Sequence, residues 1–383
     1  MSLATKLQPT PQRRLLSLDG GGVRGAIAIE VLAAMEDLLR TRTGAGDDFR
    51  LSHYFDYVAG TSTGAIIATC VALGMSAAQI RTFYNSNGSA MFQKSSLLDR
   101  WRQKYEDDRL NEKLRTVFHH GGEDPMAPPV TLGSDALETL LLIVMRNATT
   151  NSPWPVSNNP RALYNDPSRE DCNLHIPLWQ LVRASAAAPV FFPPEEVRIG
   201  SNTFLFVDGG VTTYNNPAFL LFLMATLPSY RLEWPTGVDK LLLVSVGTGT
   251  TAQPDAHLTA HDMNLFYNVT AIPTALMFAA STEQDYLCRV FGRVVNGSPI
   301  DSEVGTLRLD PETEAHLPFP KLFTYARYNL ELSRDSLDGL GLKDIDPARV
   351  RRLDSVEALP DLGRIGRALA ATVSPDHFAG FLP

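Results

Sequence analysis

The stretch Tyr57 to Leu73, YVAGTSTGAIIATCVAL, constrains this chain more than any other. It reads as a short apolar strand, a turn over Gly60-Thr61-Ser62-Thr63-Gly64, and a helix rich in Ala and Ile. A strand that reverses straight into a helix forces the middle residue into a strained conformation. Side chains two residues either side would then collide, so small residues must flank it. Gly60 and Gly64 meet that demand and push the Ser62 hydroxyl into the open. The helix behind it aims its free N–H groups at the same point, where a negative oxygen would be stabilised.

A second glycine feature lies upstream. Arg14 to Asp19 reads as a strand, Gly20-Gly-Gly-Val-Arg-Gly25 as a loop, and Ala26 to Arg40 as a helix with apolar residues at helical spacing. Gly20-x-Gly22-x-x-Gly25 is also the dinucleotide-binding fingerprint, so a Rossmann-like protein holding a pyrophosphate there is one reading. That reading asks for an acid at the end of the next strand. Asp47 and Asp48 are the nearest candidates, but they precede a strand. The other reading is an anion cradle: bare glycine N–H groups beside Ser62, at the carboxyl ends of neighbouring strands.

Ser62 needs a base. Thr203–Val207 reads as a strand ending in Asp208-Gly209-Gly210. An ordinary aspartate is a poor base at neutral pH, so Asp208 must be desolvated or tightly hydrogen-bonded to the serine. A Ser-His-Asp hydrolase is the rival, since His257, His261, His316 and His377 all follow Asp208. None of them sits on a glycine-supported strand-end loop.

Further along, Ser76 and Gln79 resemble a capping box, Leu137 to Met145 a helix, Asn151 to Pro160 a loop, and Pro177 to Ala188 a close-packed, Ala-rich helix. Asn216-Pro217 opens another helix. Lys240 to Val246 reads as a doubly buried strand and Phe266 to Phe291 as a helix broken near Pro273. Residues up to Gln12 read as a loose, polar leader. Pro311 to Pro383 reads as mixed helix and loop. Alternating strands and helices imply a three-layer α/β/α sandwich around a central, mostly parallel sheet. We expect a unit over residues 13–310, with 85–173 as an elaboration within it and 311–383 as a C-terminal extension.

The chain has 383 residues and a net charge of −8, against any role coating nucleic acid. Three scattered cysteines give no zinc or disulfide pattern and fit a cytoplasmic chain. Cys70 reads as a buried, inert thiol. No apolar run is long enough to span a bilayer.

Together, DGGGVRG at Asp19–Gly25, GTSTG at Gly60–Gly64 and DGG at Asp208–Gly210 resemble the signature set of the patatin-like phospholipases, in order, separation and strand context. Asn215-Asn216-Pro217 is similar too. The resemblance covers roughly residues 13 to 250. It implies an acyl hydrolase with Ser62 as nucleophile, Asp208 as base and no catalytic histidine. The N–H groups of Gly21, Gly22 and Thr63 would form the oxyanion hole. Gly20, Arg24, Gly25, Gly60, Gly64, Gly209 and Gly210 would support it, with Arg24 fixing the loop or meeting a lipid phosphate, and Asp19 structural. No metal or cofactor is implied. The expected partner is a phospholipid surface, met peripherally by a cytoplasmic protein. Leu265–Phe278 and Pro189–Pro194 are candidate acyl-groove or bilayer-touching segments. Some bacterial members degrade membranes in anti-phage defence on a cyclic-nucleotide signal. A cyclic-nucleotide activator is therefore a further implication, with residues 85–173 and the tail as candidate binding regions.

Overall fold

The computed structural model describes residues 2–92, 114–118, 128–189, 192–250 and 265–382. The strands are β1 (Arg13–Leu18), β2 (Tyr57–Thr61), β3 (Leu140–Asn147), β4 (Ser152–Ser157), β5 (Glu195–Ile199), β6 (Asn202–Asp208), β7 (Leu241–Val246), β8 (Gly292–Asn296) and β9 (Phe323–Tyr328). They form one sheet in the order β5-β6-β3-β2-β1-β7-β9-β8, with β4 also paired to β3. From β3 to β8 the pairing is parallel; β4, β5 and β6 are added antiparallel.

The longer helices are α1 (Gly25–Thr43), α2 (Thr63–Ala72), α3 (Ala77–Phe92), α4 (Leu178–Ser185), α5 (Ala218–Thr226), α6 (Leu265–Phe291) and α7 (Leu359–Ala370). Alternate residues of the central strands feed two cores. Leu16, Leu18 and Val58 pack with α1, α2 and α7 on one face, and Leu15, Tyr57 and Ala59 with α5 on the other. This is why those strands are apolar throughout rather than alternating. The layering is the α/β/α sandwich that the sequence implies.

Several local expectations are corrected. Leu137–Met145 is not a helix: residues 140–147 are β3, parallel to β2. All of Leu140–Met145 is buried, and a strand covered on both faces lacks the alternation that separates strand from helix. Asn151–Pro160 is not simply loop, because residues 152–157 form β4 against β3. Pro153 and Pro155 are tolerated there because β4 lies at an edge and one side of it needs no donors. β5, which the sequence reading passes over, forms a hairpin with β6. The stretch after 311 is more than helix and loop, since β9 enters the sheet between β7 and β8. α6 runs unbroken through Pro273, where proline removes one backbone bond of a long helix. The leader contains a short helix, Leu3–Lys6, and Lys6 is buried with its Nζ 2.9 Å from the Phe55 carbonyl. The capping box is present: Ser76 N–H donates to Gln79 Oε1, and Gln79 N–H to Ser76 Oγ. The charged stretch 99–113, His119, His120, His257 and His261 lie outside the described residues.

One ion pair ties β9 to the start of the glycine loop. Arg327 on β9 donates to both oxygens of Asp19, at 2.8 and 2.5 Å, and its Nη1 also reaches Ser245 Oγ on β7. Both charges are almost fully buried. Removing one partner strands the other's charge in the core, whereas removing both does not. We therefore expect Arg327→Met to lower stability by about 3–5 kcal/mol and Asp19→Leu/Arg327→Met to recover most of it. Urea unfolding of the two variants checks this; equal losses would mean the pair is not a unit.

Candidate active site

Ser62 follows β2 directly and caps α2. Its backbone sits at φ 54°, ψ −124°, a region that side-chain-bearing residues rarely occupy. The strand-to-helix reversal is completed in that one residue. A Cβ on Gly60 would lie 2.1 Å from the Gly64 carbonyl oxygen, and one on Gly64 2.2 Å from that of Leu18. Neither contact can be relieved without moving backbone, so the flanking glycines are steric requirements.

The sheet brings Asp208 to the same place. β2 ends with Thr61 opposite Val144 of β3, and β6 ends with Asp208 opposite Met145, the next residue. Ser62 Oγ donates to Asp208 Oδ2 at 2.6 Å, within the reach a nucleophile–base pair needs. The other oxygen, Oδ1, accepts the Gly210 N–H at 2.6 Å. Burial pushes the Asp208 carboxyl up to about 6, while its hydrogen bonds from Ser62 and Gly210 and the charge of Arg183 pull the other way. Gly209 is packed so closely that a Cβ would lie 2.2 Å from the Val144 carbonyl oxygen. Gly210 has Asn215 and Asp208 within 3 Å of its own Cβ position.

The glycine loop completes the group. Gly20 N–H donates to the Asn215 carbonyl, and Gly20 O accepts from Thr248 Oγ1 at 2.9 Å. Gly21 O accepts from the Arg24 N–H and Nε. Gly22 O accepts from the Tyr84 hydroxyl at 2.5 Å. In a trans peptide the N–H points opposite to the preceding C=O. Anchoring the carbonyls of Gly20 and Gly21 therefore turns the N–H groups of Gly21 and Gly22 the other way. Those two N–H groups, and that of Thr63 at the start of α2, meet no acceptor among the described residues. Gly22 takes φ +57°, and Leu353 closes over it: the Leu353 carbonyl accepts the Val23 N–H at 2.9 Å. Gly20 abuts the serine, since a Cβ there would lie 3.3 Å from Ser62 Cβ. Gly25 makes room for Tyr84, whose hydroxyl would be 2.5 Å from a Cβ. Because the Tyr84 proton is committed to Gly22, its oxygen accepts from Thr63 Oγ1 at 2.9 Å. Arg24 is buried, which lowers its guanidinium to about 10, and it braces the loop from within.

Histidine is not paired with this group among the described residues. His316 Nδ1 meets the Glu312 carbonyl and His377 Nδ1 the Tyr328 hydroxyl. The dinucleotide reading loses its acid: Asp47 is paired with Arg40 at the surface, and β2 ends in Thr61. Cys70, Cys172 and Cys288 are buried free thiols, and burial raises Cys70 to about 12.

Residues 16–222 match the patatin-like phospholipase family, and that span contains the glycine loop, Ser62 and Asp208 together. The chain belongs to that family. Patatin-17 of Solanum cardiophyllum is 28% identical over 267 residues, covering 65% of this chain and 63% of the patatin. The intracellular phospholipase A2 of Caenorhabditis elegans is 31% identical over 244 residues, covering 61% of this chain and 19% of that protein. The chain thus spans less than two thirds of the length of these relatives. VipD from Legionella pneumophila aligns in structure with a TM-score of 0.36 and 13% identity, over 93% of this chain and 67% of that one.

Within this patatin-like frame, sequence reading missed the residues that hold the motifs. Ser185 at the end of α4 accepts the Ser62 N–H at 2.9 Å and donates to the Val144 carbonyl at 2.6 Å. Its only signal was the small-residue helix around it. Tyr84, Thr248 and Leu353 gave no signal, because each acts on the loop from more than 60 residues away. Ser185→Ala leaves the Ser62 N–H and the Val144 carbonyl without their partner. We expect a loss of about 1–3 kcal/mol in stability and a drop in esterase rate of up to about a hundredfold, the scale of a ~1 Å misplacement of a reacting group. Urea unfolding and hydrolysis of a p-nitrophenyl ester measure the two. Wild-type values in both would remove Ser185 from the site.

Proposed function

We propose that this chain is a lipid acyl hydrolase that cleaves fatty-acyl esters of phospholipids through a Ser62–Asp208 dyad. The observation that carries the proposal is the 2.6 Å hydrogen bond from Ser62 Oγ to a buried carboxylate whose pKa stands near 6. In the first step Ser62 Oγ attacks the ester carbonyl as its proton passes to Asp208. The N–H groups of Gly21, Gly22 and Thr63 receive the negative oxygen. Collapse expels the alcohol, which takes the proton back from Asp208. Water, deprotonated by the same carboxylate, then frees the fatty acid from the acyl-serine.

Support for an acyl chain comes from the ground beside Gly210. A mostly apolar cavity of about 830 Å³ opens there, lined by Val211, Thr212, Leu276, Met277 and Ala280. Leu276 is 64% exposed at its mouth, an apolar residue facing the water from which a lipid surface would arrive. No described helix is long and apolar enough to cross a membrane, and peripheral action at a bilayer, from the cytoplasm, is the reading we adopt. In it, residues 13–310 carry the chemistry. Residues 311–383 complete it by adding β9 to the sheet and Leu353 to the glycine loop.

The base must be unprotonated to act, so kcat/KM should rise through a single ionisation near pH 6 and stay level above it. The stability effect has the opposite sign. A carboxyl whose pKa is raised on folding stabilises the folded chain below its unfolded value near 4, and that contribution is lost as pH climbs through about 6. Asp208→Asn should therefore lower kcat at least about a thousandfold while unfolding no earlier than the parent at pH 8. Ser62→Ala should be equally inactive. A pH–rate profile without a break between 5 and 7, or an active Asp208→Asn protein, would end the dyad proposal.

Family resemblance also supplies the proposal of a cyclic-nucleotide switch. Fatty-acid release from phospholipid vesicles, with and without a panel of cyclic dinucleotides, tests it separately. A tenfold or greater stimulation by one member is the expected sign, and a flat panel removes the switch without touching the dyad.

A further inference from the structure

We infer that the C-terminal segment around Arg351 builds a subsite for the phosphodiester group of the lipid, next to the glycine loop. The inference rests on the acyl-hydrolase reading above and adds to it the side from which the polar half of the substrate enters. A second cavity, of about 510 Å³, is lined by Gly20, Arg24, Arg351, Arg352 and Met277. Met277 also lines the apolar cavity, so the two spaces meet at that side chain. Gly20 places the polar cavity against Ser62. The cationic space thus borders Gly20, which abuts Ser62, and the apolar one borders Gly210, which holds Asp208.

The cationic character can be followed charge by charge. Asp19 lines the cavity but is committed to Arg327. Asp354 lines it too, and Arg352 donates to it at 3.2 Å. That leaves Arg24 and Arg351. Arg24 is only 8% exposed, and its Nη1 has no hydrogen-bond partner among the described residues. That nitrogen is closed off from solvent and Arg24 is engaged with Gly21 O, so the accessible cation of the cavity is Arg351. Arg351 is fixed through its Nε, which donates to the Leu332 carbonyl at 2.6 Å. Its two Nη groups meet no acceptor among the described residues. A held guanidinium with its fork free suits the paired oxygens of a phosphodiester, and it does so in a chain of net charge −8. The position of Arg351 is not incidental. Two residues on, Leu353 holds the glycine loop, so the segment is locked against the nucleophile's surroundings. Arg351 also lies outside residues 16–222, beyond the span matched to the family.

The test compares substrates that share acyl chains and differ in phosphate. For the full-length Arg351→Gln protein we expect KM on phosphatidylcholine in mixed micelles to rise about tenfold. Rates on the matching diacylglycerol and on p-nitrophenyl butyrate should stay within about twofold, and Arg351→Lys should recover part of the loss. Equal losses on all three esters would mark Arg351 as merely structural, and no loss on any would leave it outside the site; either overturns the subsite. The source of the phosphate is separated by inhibition of p-nitrophenyl butyrate hydrolysis. Inhibition by glycerophosphocholine that Arg351→Gln relieves, with no effect of inorganic phosphate, supports a lipid headgroup. Equal inhibition by inorganic phosphate would replace it with a general anion site. If the parent protein hydrolysed no ester, the acyl-hydrolase reading would fall. Calorimetric titration of Ser62→Ala with glycerophosphocholine, with and without Arg351→Gln, would then judge the subsite alone: binding lost on the substitution supports it, and no binding sinks it.

Discussion

Past Val144 the backbone of β3 continues for three residues along an edge that β2 has already left. Its other edge is occupied by β4 over the same residues, from Leu142 to Asn147. Backbone groups buried at that level cannot stay unpaired, and β6 supplies the partner, entering antiparallel from the far side. Two strands thus meet nearly end to end along one template. One ends at Thr61 and delivers Ser62; the other ends at Asp208. The serine and the carboxylate, 146 residues apart in the chain, are set within hydrogen-bond range by consecutive rungs on β3. The junction itself leaves the Val144 carbonyl between the two strand ends, and Ser185 closes that gap while also receiving the Ser62 N–H.

The same junction sets the electrostatics. Because Asp208 ends a strand inside the sheet, its carboxylate is buried rather than solvated, and burial is the largest influence on its proton affinity. A neighbouring cation within ion-pair distance would pull against the rise in pKa and compete with Ser62 for the carboxylate. No salt bridge is made by Asp208 among the described residues; Arg183 acts on it only as a weaker charge nearby. The serine hydroxyl and the Gly210 N–H give the carboxylate enough hydrogen bonding to keep it in place. Asp19, at the end of β1, also has its carboxyl pushed up by burial but differs in its partner. It is buried too, but two hydrogen bonds from Arg327 tie it down and leave it nothing to do but hold β9 to the loop.

This contrast explains which parts of the molecule could be read from the chain. Gly60 and Gly64 were legible because their constraints are local, one answering a clash four residues on and the other a clash with the neighbouring strand; the loop glycines were legible as a run between a strand and a helix, although what they make room for is distant in the chain. Asp208 stood out only in company: a strand end followed by two glycines is by itself a turn, and the resemblance of the three motifs as a set singled it out. The layered fold followed from the alternation of apolar runs. β3 was misread as a helix because residues buried on both faces carry no period, and β4 as a loop because its prolines signal an interruption that an edge strand does not suffer. β9 was lost in a stretch without a motif. The missed partners, Ser185, Tyr84, Thr248 and Leu353, touch the site from distant elements, and nothing next to them in sequence records the contact.

The missed partners are also what make the motif usable. Backbone donors help a developing oxyanion only if they are already aimed when charge appears, because turning them during the reaction would cost what they later return. Glycines alone cannot provide this, since their freedom works against a fixed direction. Here each peptide of the loop is held: Gly20 by Thr248 and Asn215, Gly22 by Tyr84 and Val23 by Leu353 from outside, and Gly21 by Arg24 from within. Tyr84 adds a second function, because the hydroxyl that holds Gly22 also receives Thr63, so the loop and the elbow cannot shift independently. The glycines supply room and the distant side chains supply rigidity. Through Leu353 the C-terminal segment helps to fix the glycine loop, although the span that identifies the family ends at residue 222.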